Sequence, residues 1–241
     1  MKNQYVGDIG DYTKFGILRK LRDADFSIGI NWYLTEDDGS KDGKHREYLK
    51  SECKTSDDKL FDILKKINDS GLLSVEELAR NTIVEGAVYY NKKLKFNGIS
   101  WQKRKEIRSQ WHKDALPILC NQEIVFLDPD NGLQVKSFKP FTSQKGNKYT
   151  TYQEAVDYYK QGATVIIYNH ADHRKEDERK ERFKQFKKIK ETSSAKILCY
   201  KAGARYYLFL AQPEHRGEVQ KAMEGMLKDK GWSKYLEGYK I

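Results

Sequence analysis

Apolar residues recur along this chain with two spacings. Five short runs are apolar at nearly every position and rich in β-branched or aromatic side chains: 28–34 (IGINWYL), 124–128 (IVFLD), 163–169 (ATVIIYN), 196–200 (KILCY) and 206–211 (YYLFLA). Continuous rather than alternating apolarity is the pattern of a strand covered on both faces. Between these runs the apolar positions take helical spacing. Segment 11–23 carries Phe15, Leu18 and Leu21, with Asp11 as its expected N-cap. Segment 57–67 carries Leu60, Phe61, Leu64 and Ile67, and 102–119 carries Ile107, Trp111, Leu116 and Leu119. Thr151 and Glu154 open segment 151–161 at the spacing of a capping box. Segments 174–191 and 214–230 complete the helices, the last with Gly231 as its expected C-cap.

Strands alternating with helices predict the α/β class: a Rossmann-like three-layer fold with a mostly parallel sheet of about five to seven strands. Residues 201–205 alone separate the last two runs, so these are expected to form a C-terminal antiparallel pair. The whole of 1–241 reads as one α/β domain, with a possible helical insertion at about 50–100. Residues 132–150, containing Gly, Pro, Ser and Lys, read as a long basic loop.

Charge adds what periodicity does not. The formal net charge is +10 and is unevenly spread: residues 1–91 carry −3 and residues 92–241 carry +13. Residues 92–113 hold eight Lys/Arg against one Glu, 134–148 hold four Lys and no acid, and 174–190 hold nine Lys/Arg against four acids. A basic body with an acidic head points to a polyanionic partner, most simply nucleic acid, DNA or RNA. Trp101, Trp111 and the tyrosines are candidates to stack bases.

Other classes are excluded. The opening MKNQYVGDIGDYTKFGIL lacks the charged-then-apolar pattern of a signal segment. No apolar run approaches the roughly 20 residues of a membrane span. Cys53, Cys120 and Cys199 are too few and too widely spaced for a disulfide framework or a cysteine zinc site. The expectation is a cytoplasmic protein with no membrane partner.

Ligands of open parallel sheets bind beyond the carboxyl ends of the strands, so polar residues that end apolar runs are the first candidates. Asp128-Pro129-Asp130-Asn131-Gly132 follows IVFL. Two carboxylates one residue apart suit Mg²⁺ or Mn²⁺, which favour hard oxygen ligands. Asn169-His170-Ala171-Asp172-His173-Arg174 follows ATVIIY, and either histidine is a candidate for proton transfer near neutral pH. Asp8, Asp11 and Lys14 surround the start of the first helix, and Asp37, Asp38, Asp42 and His45 lie in the loop after the first strand.

GDIGDYTKFGILRKL resembles the opening of the bacterial 23S rRNA adenine-N6 methyltransferases of the DPPY type. IVFLDPDN stands where those enzymes carry a strand ending in Asp-Pro-Pro-Tyr, and YYLFLAQPE stands where they carry a late strand ending in Asn-Pro-Pro. The resemblance implies a Rossmann-like core, S-adenosylmethionine as cofactor, and RNA or DNA as substrate. The chain departs from it at two places. INWYL runs into Thr35-Glu36-Asp37-Asp38-Gly39-Ser40 rather than a glycine-rich cofactor loop, and Asn131 replaces the aromatic that stacks a flipped adenine. GDxxDYxK, NWYLT, DPDNG and YNHxxHR together resemble an uncharacterised bacterial family of similar length. DPDNG, with Val84-Glu85-Gly86 upstream, resembles the metal-binding motifs of Toprim enzymes.

The resulting expectation is a metal-dependent hydrolase of nucleic acid, a nuclease. Asp128, Asp130, His170 and Lys14 are the expected catalytic residues. Asp128 and Asp130, with Asp8 or Asp11, are the expected metal ligands. Arg174, Asn131, Lys148 and His45 are expected to bind substrate. The alternatives are a methyltransferase-like protein, active or degenerate, and a non-enzymatic nucleic-acid-binding module.

Overall fold

A computed structural model describes residues 1–39, 43, 45–50, 56–136, 139–171 and 174–241. The helices are α1 (Ile9–Arg22), α2 (Asp58–Ser70), α3 (Val75–Arg80), α4 (Trp101–Leu119), α5 (Tyr152–Lys160), α6 (Glu176–Lys184) and α7 (Arg216–Lys228). The strands are β1 (Ile28–Asn31), β2 (Val88–Tyr90), β3 (Ile124–Leu127), β4 (Gly132–Leu133), β5 (Tyr149–Thr150), β6 (Thr164–His170), β7 (Lys196–Ala202), β8 (Arg205–Ala211) and β9 (Glu237–Gly238).

Seven strands form the main sheet in the order β2-β1-β3-β6-β8-β7-β9. The first four are mutually parallel, β8 runs antiparallel to β6, and β7 pairs antiparallel with β8. The fold is α/β and Rossmann-like, as expected. Two apolar cores account for the unbroken apolarity of the strands. Ile124, Phe126 and Ile166 point into one core with Phe15, Leu18, Leu64 and Met223. Val125, Leu127, Val165 and Ile167 point into the other with Trp111, Ala115, Tyr158 and Phe183. Successive side chains of a strand face opposite ways, so a central strand between two helical layers must be apolar throughout.

Several local expectations change. The N-cap of α1 is Asp8, not Asp11, because the Asp8 side chain accepts from Gly10 N at the helix mouth. The capping box at Thr151 and Glu154 forms as expected. Segment 50–100 is not wholly helical: α2 and α3 pack into the first core, and β2 adds a parallel edge strand beside β1. Glu85 is exposed on the turn before β2, whereas the Toprim resemblance implies a glutamate that follows a strand. Segment 174–191 is α6 followed by two 3-10 turns rather than one helix. At the end of α7, Gly231 does not adopt the left-handed cap conformation (φ −81°). The Asp229 side chain instead accepts from the amides of Gly231 and Trp232.

Residues 132–150 are more ordered than a loop. β4 and β5 pair in parallel, and Gly132 turns the chain there at φ +103°. A side chain at Gly132 would strike the Cα of Asn169 at 2.7 Å, so only glycine fits. Arg108, fully buried on α4, ties the segment down. It pairs with Glu154 at 2.7 Å and donates to the carbonyls of Gly146 and Tyr149. Cys120 and Cys199 are free thiols, and Cys53 lies outside the described residues. No helix among the described residues is long and apolar enough to cross a membrane.

Candidate active site

β3 ends at Leu127, and the Asp128 amide continues its ladder by donating to Asn31 O at 2.9 Å. The carboxylate of Asp128 therefore emerges at the carboxyl edge of the sheet. Leu127 is in register with Ile167 of β6, so Tyr168 follows beside Asp128, and His170 lies two residues farther along. Antiparallel pairing then sets Arg205, at the start of β8, opposite His170. Helix α1 points its first turn at the same edge and brings Asp8, Asp11 and Lys14.

These elements enclose a cavity of about 320 Å³. Of the residues expected from the sequence, Asp8, Asp11, Lys14, His45, Asp128, Asp130, Asn131, Lys148 and His170 line it. Arg174 does not: it borders a separate groove beside α6 with Tyr152 and Arg182. Asp42, Asp172 and His173 lie outside the described residues. Arg205 and Tyr168 also line the cavity and were not anticipated. The sequence offers no signal for Arg205, because its level beside His170 is set by the register of β8 on β6.

Opposite charges are interleaved. Lys14 Nζ lies between Asp11 Oδ1 at 2.8 Å and Asp128 Oδ2 at 2.7 Å, and all three residues are buried. Burial alone would weaken the Lys14 charge, but the two carboxylates outweigh it and hold the ammonium above its ordinary range. Burial raises the Asp11 carboxyl, with Lys14 opposing. The other oxygen of Asp11 accepts from Gly7 N at 2.9 Å. Arg205 Nη2 meets Asp8 Oδ2 at 3.1 Å. Asp8 and Asp11 therefore already serve the helix mouth and its neighbouring cations. Lys148 stands 3.8 Å from Asp130 and 3.6 Å from Asp38. Burial, together with nearby Lys2, lowers its affinity for a proton.

Asp128 and Asp130 differ from each other in what they leave unused. Among the described residues, Asp128 receives its only side-chain hydrogen bond at Oδ2, from Lys14. Asp130 Oδ1 is buried without a hydrogen bond and has the Met1 ammonium 2.6 Å away. Asp128 Oδ1 is thus open to a hard divalent cation, whereas Asp130 Oδ1 is held by the Met1 ammonium and would exchange it for the cation. Among the described residues, no group of three or more acidic, His or Cys side chains is arranged as a metal cage. Such an ion would therefore take its remaining ligands from water or substrate, as Mg²⁺ commonly does.

The stretch after β1, where the methyltransferase resemblance places its cofactor, is packed by the chain itself. Trp32 and Tyr33 are fully buried. The Met1 ammonium donates to Tyr33 O at 3.2 Å, and Thr35 N donates to Met1 O at 2.9 Å. None of residues 31–36 lines the cavity. Trp111, a candidate for base stacking, is only 2% exposed and belongs to the second core. No protein-family model matches this chain, and no curated protein matches it.

Proposed function

We propose that the protein is a divalent-metal-dependent hydrolase of nucleic-acid phosphodiesters. The observation that carries the reading is the pair of strand-end carboxylates, Asp128 with Oδ1 unbonded and Asp130 with Oδ1 against the Met1 ammonium, in a cavity that also holds Arg205, Lys148 and His170.

Asp128 and Asp130 would hold the cation, Mg²⁺ or Mn²⁺. When bound, such an ion activates water and neutralises phosphate charge. Arg205 and Lys148 supply positive charge to phosphate oxygens from the cavity wall. His170 is the exposed imidazole at the strand edge and is the group suited to move a proton to or from the reacting oxygens. Lys14 is a positioning residue: its ammonium is committed to Asp11 and Asp128 and holds the latter's carboxylate in place. Asn131 is fixed at the rim by its amide, which donates to Lys148 O at 2.8 Å.

Methyl transfer has less support, because the stretch after β1 is filled by buried aromatic residues and the Met1 segment. Calorimetric titration separates the two readings. The hydrolase reading expects Mn²⁺ to bind the native protein, binding to be lost in Asp130→Asn, and S-adenosylmethionine to give no heat. Binding of S-adenosylmethionine with no binding of Mn²⁺ would reverse the choice.

A further inference from the structure

A strip of positive charge leads away from the cavity. Lys148 stands at the cavity wall, and the segment that carries it is fastened to α4. Arg104 Nη1 donates to Thr142 O at 2.7 Å, and Asn147 Nδ2 donates to Leu94 O at 2.8 Å. These bonds hold residues 139–148 against residues 92–105. Together the two stretches contain nine Lys/Arg and no Asp or Glu. Lys92 is paired with Asp114, and Lys95 lies 3.9 Å from Glu36. Lys93, Lys103, Lys105, Lys139 and Lys145 are exposed and make no ion pair among the described residues.

Trp101 opens α4 within this strip and is 59% exposed. The other three tryptophans, Trp32, Trp111 and Trp232, are buried. Leu72 and Ile118 are the other large apolar side chains left exposed among the described residues, so an exposed aromatic ring here stands out. A flat indole face among unpaired ammonium groups matches a ligand that offers both negative charge and planar apolar rings. Single-stranded nucleic acid offers both, whereas a duplex turns its base faces inward.

We propose that this strip is a docking track for single-stranded nucleic acid, with Trp101 stacking on a base and the exposed lysines meeting phosphates. The proposal rests on the nucleic-acid reading of the cavity and narrows its substrate class. From Thr142 to Lys148 the chain spans at most roughly 20 Å, so the track and the cavity lie within reach of one short strand.

The test is fluorescence anisotropy of a short labelled oligo-dT with the full chain in EDTA, where no turnover intervenes. Trp101→Ala is expected to weaken binding roughly tenfold, and Trp101→Phe to restore most of it. Lys103→Glu/Lys105→Glu is expected to weaken binding and flatten its salt dependence. Ligand addition should also change the indole emission of the native protein but not of Trp101→Ala. Unchanged affinity in Trp101→Ala, or tighter binding of a blunt duplex than of the single strand, overturns the proposal. So does a change in oligomeric state of Trp101→Ala by light scattering with oligonucleotide affinity intact, which would make this face a protein interface. Trp101-dependent binding without any metal-dependent cleavage would remove the hydrolase reading and leave the track standing. Asp128-dependent cleavage with Trp101-independent binding would do the reverse.

Discussion

Lys14 Nζ lies 2.7 Å from Asp128 Oδ2 across 114 positions of sequence, joining the first helix to the end of β3. Both groups are buried, and Asp11 completes the arrangement from the other side. Removing the cation leaves two carboxylates buried without their partner. Lys14→Met is expected to cost about 3–5 kcal/mol in denaturant unfolding. Adding Asp128→Asn to Lys14→Met should cost less than the sum of the single changes, because the two residues share one interaction. Strict additivity in the double-mutant cycle would show that the pair is not coupled.

Arg205 faces His170 across the β6–β8 pairing and reaches the cavity from a side chain that is only partly buried. Its loss should affect turnover more than folding. Arg205→Ala is expected to lower kcat by about a hundredfold, as removal of one preorganised donor to developing charge commonly does. The melting temperature should shift little, since Asp8 keeps its capping bond to Gly10. A large loss of stability with unchanged turnover of the folded fraction would assign Arg205 a structural role alone.

His170 is the exposed imidazole at the end of β6, and His45 is a second exposed imidazole on the cavity. His170→Asn is expected to slow cleavage by about 10²–10⁴-fold. A folded variant that cleaves at the native rate would move the proton-transfer role to another group, with Lys148 the first to examine.

Glu154 should contribute to acid sensitivity. Burial opposes its charge, but the Arg108 guanidinium beside it prevails and holds its carboxyl below the ordinary value of 4.5. A depressed acid pKa gives stability that is present above the unfolded value and lost as pH falls through the folded one. Native stability should therefore decline on acidification from about pH 4.5 downward. Glu154→Gln should be less stable at neutral pH and lose less on acidification. Equal acid slopes for the two proteins in urea titrations would place the sensitivity elsewhere.

The sheet was legible because its central strands are apolar at nearly every position, a pattern that neither a half-exposed strand nor an amphipathic helix produces. β2 was missed because VYY is three residues long and follows a segment whose spacing also suits a helix. The order within 132–150 was hidden for a different reason: it depends on Arg108, a charged residue that reads as surface until Glu154 and three backbone carbonyls are brought to it. Of the site, the strand-end acids and His170 were readable because the ends of parallel strands are where ligands bind. Arg205 was not, because its position depends on the register of an antiparallel pair. The same limit applies to Arg174, which has suitable chemistry but lies on the α6 side of the chain, away from the cavity.

The central claim is hydrolysis dependent on Asp128 and Asp130, and cleavage of a labelled single-stranded oligonucleotide tests it most directly. Native protein, Asp128→Asn and Asp130→Asn would be compared in Mn²⁺ and in EDTA, with circular dichroism to establish that each variant is folded. The expected result is cleavage by the native protein in Mn²⁺ alone and loss of at least about a hundredfold in either variant. Equal cleavage in EDTA, or a native rate in the folded Asp128→Asn and Asp130→Asn proteins, would contradict it.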